Sequence, residues 1–218
     1  MAIVQNPITG RTKKKFGTAV FSKQFGKNTM RTKPMDVKNP KTVGQVKQRT
    51  KFSTVVELVR QVLPLINEVY AGSLKNMSPF NKVTSINVKN AFVGDPPELD
   101  HTKIVLCDFE GSTVSSVLLT GQPDQVMDIT WDPDTYEQEE LDTPLTFVLF
   151  NCTSNLGIIF RDVALRSAGA ASVTLPPTWV GDMTSLHIVT TDVNRKVKQD
   201  YMKLIKFKAG ADPSSVVL

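Results

Sequence analysis

The chain has 218 residues, 40% hydrophobic and 22% charged, with a net charge of +5. That length and balance suit one sizeable folded core and exclude global disorder. No apolar run approaches the roughly 20 residues of a membrane helix, and the opening MAIVQNPITGRTKKK has no apolar stretch of a secretory signal.

The charge is split along the chain. Residues 1–51 hold thirteen Lys or Arg against Asp36 alone, a balance of +12, while residues 52–218 balance at −7. A basic head on an acidic body points to an arm that binds nucleic acid or an acidic protein surface.

Residues 1–38 are expected to form a basic arm or β-hairpin. Short alternating stretches such as Phe16-Gly17-Thr18-Ala19-Val20-Phe21 precede the turn-like Gly26-Lys27-Asn28. An isolated hairpin is marginal in water, so its aromatic side chains need a partner surface.

Asn39-Pro40 reads as a helix start, a capping residue followed by proline at the first helical position. Phe52, Val55, Val56, Val59, Val62, Leu63, Ile66 and Val69 recur at helical spacing, and Gly72 offers a stop. One long helix is expected within 39–73, with a kink or break at Pro64. Residues 74–102 read as a linker.

Strands are expected at 103–109, 115–119, 125–131, 145–152, 158–164, 171–175, 185–191 and 198–206, with turn signals between them. That spacing argues for a β-sandwich of immunoglobulin or fibronectin type III kind over 103–208. Residues 209–218 read as a loose tail. The expected class is therefore mainly β. Cys107 and Cys152 lie in apolar runs and read as buried thiols, too few and too far apart for a zinc site.

Lys38-Asn39-Pro40-Lys41-Thr42, then Gln45, Arg49, Lys51 and Phe52, resembles the pattern K-N-P-[RK]-T-x-x-Q-x-x-x-R-x-K-F. That pattern marks an uncharacterised domain-of-unknown-function family found widely in Bacteroidota genomes and their phages. The likeness continues through Ile129-Thr130-Trp131, Arg166-Ser167-Ala168-Gly169, Leu175-Pro176 and Trp179-Val180-Gly181-Asp182. The opening departs from it, with Lys13-Lys14-Lys15 where glycine is commoner. The resemblance implies a bacterial or phage setting and supplies no catalytic residue.

Chemistry is hard to place on these residues. Gly26-Lys27 fails as a phosphate loop, because Phe21 and Asn28 stand where glycine and Ser or Thr are required. His101 and His187 have no nucleophile or ligand cluster beside them. Asp132-Pro133-Asp134 lacks the glycine and the final Glu of a calcium loop. Neither an enzyme nor a cofactor or metal site is expected.

Two stretches remain. The arm carries Lys13, Lys14, Lys15, Lys23, Lys27, Arg31 and Lys33, interleaved with Phe16, Phe21 and Phe25. An acidic segment carries Asp124, Asp132, Asp134, Glu137, Glu139 and Glu140. Repeated between subunits, a contact between the two is heterologous and builds rings or filaments. The leading expectation is a non-enzymatic phage virion component of capsid, head-decorating, connector or tail type. It would assemble in the bacterial cytoplasm with itself or other virion proteins, away from membranes. The alternative is a nucleic-acid-associated protein whose arm neutralises DNA or RNA phosphates non-specifically. A surface-binding sandwich module is a third reading, disfavoured by the missing export signal.

Overall fold

The computed structural model describes residues 2–3, 14–108, 114–121, 125–133, 143–190 and 201–208. Four short strands come first: β1 (Ala2–Ile3), β2 (Lys14–Phe16), β3 (Ala19–Gln24) and β4 (Lys27–Thr32). They pair antiparallel in the order β1-β4-β3-β2. The β3–β4 hairpin turns at Phe25 and Gly26, whose φ angles of 47° and 82° suit a two-residue turn. This is one residue earlier than the sequence suggests. Residues 33–42 follow without regular structure, exposed throughout.

Helix α1 (Val43–Gln61) begins at Thr42, not at Asn39-Pro40. The Thr42 hydroxyl accepts the Gln45 N–H at 3.4 Å, in the Thr-x-x-Gln spacing of a capping box. Asn39 instead accepts from Arg49 Nη2 at 2.6 Å. The expected single helix is two, because α1 stops at Val62 and α2 (Leu63–Val69) starts afresh. Pro64 lies in the first turn of α2, where its missing N–H leaves no bond unmade.

The expected linker is also corrected. Residues 74–102 hold helix α3 (Pro79–Asn90) and a small hairpin of β5 (Phe92–Val93) and β6 (Glu98–Leu99). Ser78-Pro79, which reads as a loop signal, is the N-cap and first residue of α3. The Ser78 hydroxyl accepts the Asn81 N–H at 3.2 Å. The expected strand at 103–109 is absent through residue 108. A 3₁₀ turn, His101–Lys103, leads into irregular backbone instead. That backbone pairs with a side chain: Val105 N–H donates to Asn87 Oδ1 (2.8 Å), and Asn87 Nδ2 donates to the Val105 carbonyl (2.7 Å).

Among the described residues seven further strands follow: β7 (Ser115–Gly121), β8 (Val126–Asp132), β9 (Pro144–Asn151), β10 (Leu156–Leu165), β11 (Ala170–Thr174), β12 (Met183–Thr190) and β13 (Tyr201–Lys208). One sheet runs β11-β8-β7 and the other β10-β9-β12-β13. All pairs are antiparallel, giving an immunoglobulin/fibronectin-III-like β-sandwich.

A helical layer turns the sandwich into three layers. Leu145, Phe147 and Leu149 of β9 and Leu186 and Ile188 of β12 face the smaller sheet, against Leu119, Ile129 and Trp131. Val148 and Phe150 of β9 and Val189 of β12 face the helices, against Leu58, Val62, Ile66 and Val83. Continuous runs such as Leu145-Thr-Phe-Val-Leu-Phe150 have no alternation because both faces are covered.

Polar ties fix the helices to the β9–β10 turn and to the irregular chain after α3. Gln61 Nε2 donates to the Asn155 carbonyl (2.9 Å), and Gly157 N–H donates to Gln61 Oε1 (2.5 Å). Tyr70 donates to Asp108 Oδ1 at 2.7 Å and accepts the Asp108 N–H at 3.1 Å, with Lys82 Nζ 2.7 Å from Asp108 Oδ2. Burial, then the bond to Asp108 and its charge, push the Tyr70 phenol far above its usual range. Burial also opposes the Asp108 carboxylate, but the bonds from Lys82 and Tyr70 outweigh it and hold its carboxyl below the usual range.

Two stability predictions follow from this packing. A Cβ on Gly157 would lie 2.7 Å from Cε1 of Phe150, a buried ring flanked by His101 and His187 that has nowhere to move. Gly157→Ala is expected to destabilise by about 1–3 kcal/mol in urea unfolding, whereas exposed, helical Gly44→Ala stabilises by up to about 1 kcal/mol. Equal effects at the two sites would contradict the packing described. Asp108, with its depressed folded pKa, contributes stability that is present above its unfolded pKa of about 3.9 and fades as pH falls through the folded value. Asp108→Asn should therefore flatten the acid limb of the stability–pH curve below about pH 4. An unchanged limb would show that the tie contributes nothing.

Candidate functional site

Strand register divides the N-terminal sheet into two faces. The rows Lys14–Phe21–Met30, Phe16–Ala19–Thr32 and Lys23–Asn28 share one face. Lys15–Val20–Arg31, Ser22–Thr29 and Gln24–Lys27 share the other. On the second face Ser22 and Thr29 hydroxyls bond at 2.7 Å, and Thr29 is buried. Lys14, Lys15, Lys23, Lys27, Arg31 and Lys33 are all exposed. Phe21 is half-buried, and Phe25 sits 48% exposed in the hairpin turn. Lys13 lies outside the described residues. So the structure brings the cations together with Phe21, while Phe25 stands apart at the tip.

The same exposure continues beyond the sheet. Met35 is 89% exposed, Val37 and Val43 are similarly open, and among the described residues none before Val55 belongs to the hydrophobic core. Phe52, expected inside the helix's apolar stripe, is 52% exposed. Lys51 lies 5.3 Å from the centroid of the Phe92 ring. Lys47 pairs with Asp95 on the β5–β6 hairpin, tying the second turn of α1 to that hairpin.

Of the acidic residues singled out from sequence, only Asp132 is described; Asp124, Asp134, Glu137, Glu139 and Glu140 lie outside the described residues. Asp132 closes β8 on the outer face of the β11-β8-β7 sheet. Asp128 shares that face and was not singled out. It accepts from Ser172 Oγ at 2.6 Å. The missed signal is a long stretch without cations: between Lys103 and Arg161 the chain has no Lys or Arg and ten acids. Thr130, Ala170, Ser172 and Thr174 are exposed on the same face, with Leu118 at 60%.

No catalytic arrangement emerges from the other titratable groups described. His101 is buried with Nε2 3.0 Å from Asn155 Oδ1, and His187 is buried in β12 edge-on to Phe150 at 5.3 Å. Tyr70 and Asp108 form the tie already described, between a helix end and the backbone beside it. Among the described residues no three His, Cys, Asp or Glu side chains are grouped to hold a metal ion. Neither Cys107 nor Cys152 is in a disulfide; the first is buried and the second half-buried. Among the described residues no helix is long and apolar enough to cross a membrane. A concavity of about 660 Å³ runs along α1 past Gln45, Arg49, Phe52, Val56, Glu57 and Arg60. Its lining is mixed, apolar at Phe52 and Val56 and charged at Arg49, Glu57 and Arg60.

The later motifs quoted from the sequence turn out to build the scaffold. Trp131 is buried and its indole donates to the Arg166 carbonyl at 2.7 Å, and Trp131 N–H donates to the Gly169 carbonyl at 2.9 Å. Gly169 has φ 68°, which lets the chain reverse after the Arg166–Ala168 turn. Trp179 is buried, and Asp182 accepts from Asn151 Nδ2 at 2.8 Å.

Among solved structures, one titled a myokine structure is 12% identical, with a TM-score of 0.35, over 47% of this chain and 100% of its own. A fibronectin type III domain of human contactin 1 is 9% identical, with a TM-score of 0.33, over 50% of this chain and 87% of its own. A comparison with curated proteins gives no match. The model of the family of unknown function DUF6266 matches residues 11–201, and the chain belongs to that family.

Proposed function

We propose that this is a non-enzymatic structural protein that assembles through its N-terminal sheet, with a phage virion component as the setting. One observation carries the reading. Residues 14–53 present cations, Phe25, Met35, Val37, Val43 and Phe52 to solvent, and among the described side chains none of them supplies a buried hydrophobic. Such a surface is suited to burial against a partner. The acidic body, at −7 over residues 52–218, supplies a complementary charge on a second copy. The Bacteroidota and phage setting implied by the motif resemblance favours a virion part (capsid, head decoration, connector or tail) assembled in the bacterial cytoplasm.

The same exposed cations support a second reading, an arm on nucleic-acid phosphates. Single-strand binding by stacking is less well served. Phe21 is half-buried within the sheet, and Phe25, 48% exposed at the hairpin tip, stands apart from it and gives no continuous stacking platform.

Sizing by sedimentation separates these readings. The full chain is expected to associate at micromolar concentration and to dissociate as salt rises, while a chain lacking residues 1–38 stays monomeric. A full chain that is monomeric at high concentration and shifts DNA at low salt would transfer the function to nucleic acid. Equal assembly with and without residues 1–38 would remove the N-terminal sheet from the mechanism.

A further inference from the structure

Resting on that reading, we propose where the sheet docks. The β1-β4-β3-β2 sheet of one copy packs on the outer face of the β11-β8-β7 sheet of a second copy, through its Phe21–Met30 face.

Charge selects this pairing over the symmetric one. Residues 14–33 contain Lys14, Lys15, Lys23, Lys27, Arg31 and Lys33 and no acid, so two N-terminal sheets placed face to face repel. The β11-β8-β7 sheet has the opposite character. None of its three strands carries Lys or Arg, and Asp128 and Asp132 lie on its outer face. Lys14 and Lys23 flank Phe21 and Met30 on the docking face and would meet those carboxylates, while Phe21 and Met30 would cover Leu118.

Shape agrees with charge. Thr130, Ala170, Ser172 and Thr174 are small, so the face is low and a second sheet approaches to about 10 Å. The exposed residues 33–42 give the N-terminal sheet a reach of roughly 35 Å at about 3.3–3.6 Å per residue. The two faces are different surfaces of one chain, so each copy offers one of each and the contact repeats as a ring or filament. A four-stranded sheet buries less than a standard interface, so each contact is weak and the assembly depends on repetition.

Two full-length variants test the assignment. Lys14→Glu with Lys23→Glu reverses the charge of the docking face; Leu118→Lys, Thr130→Lys and Thr174→Lys together outweigh Asp128 and Asp132 and make the receiving face net positive. All five side chains are exposed, and circular dichroism confirms folding. Should the second variant fold poorly, Thr130→Lys, Ala170→Lys and Thr174→Lys place three cations on the same exposed face.

Each variant alone is expected to associate at least about tenfold more weakly than the parent in sedimentation. Mixed together they should reassociate, because the acidic docking face of one meets the basic receiving face of the other while the two unaltered faces meet as in the parent. A mixture that stays monomeric overturns the pairing of these two faces. Parent-like assembly of the receiving-face variant, with dissociation of the docking-face variant, also overturns the docking face but leaves assembly through the N-terminal sheet intact. Parent-like assembly of both variants, or a monomeric parent, removes both.

Discussion

Strand β9 is the member on which the other layers depend. Leu145, Phe147 and Leu149 point into the sandwich and Val148 and Phe150 into the helices, all fully buried. Each such side chain contributes about 1.5–3 kcal/mol when removed from water. Both hydrophobic clusters meet along this strand, so the helical layer is part of the domain's core and not an appendage. β12 repeats the arrangement beside it, with Leu186 and Ile188 on one side and Ser185, His187 and Val189 on the other.

Burying a sheet face under irregular chain creates a hydrogen-bond problem, because loop backbone has no ladder partner. Two amide side chains solve it. Asn87 on α3 pairs with both backbone groups of Val105, and Gln61 at the end of α1 pairs with the Asn155–Gly157 turn. A carboxamide offers one donor and one acceptor side by side, as a peptide group does. The first fixes α3 to the irregular segment at Val105, and the second fixes α1 to the sandwich. Toward its N-terminus, α1 leaves the core before Val55.

The molecule beyond that point is governed by charge and exposure. The N-terminal sheet carries cations on both faces, whereas the stretch between Lys103 and Arg161 carries acids alone. The separation costs the folded monomer little, because the two regions are joined by an exposed tether and need not meet within one chain. Between copies the same separation becomes an attraction, which is the physical basis of the assembly proposed here.

The seven strands from β7 to β13 were legible in the sequence, because turn residues bound short apolar runs. So was the uneven charge, which composition alone determines. The helical layer was less so. Ser78-Pro79 starts a helix or a loop by the same chemistry, and only burial of Val83 in the helical cluster and of Asn87 against Val105 decides between them. Thr42 and Gln45 held the capping box of α1, yet Asn39-Pro40 offered an equally good start. The strand expected at 103–109 failed because Asn87, distant in sequence, supplies the backbone partner that a neighbouring strand would have given. Phe52 fits the apolar period of α1, but period cannot show how far along the helix the core extends. The identity of the residues determined which faces are apolar, basic or acidic. Which of those faces are covered is a property of the tertiary structure, because burial depends on contacts made across the fold.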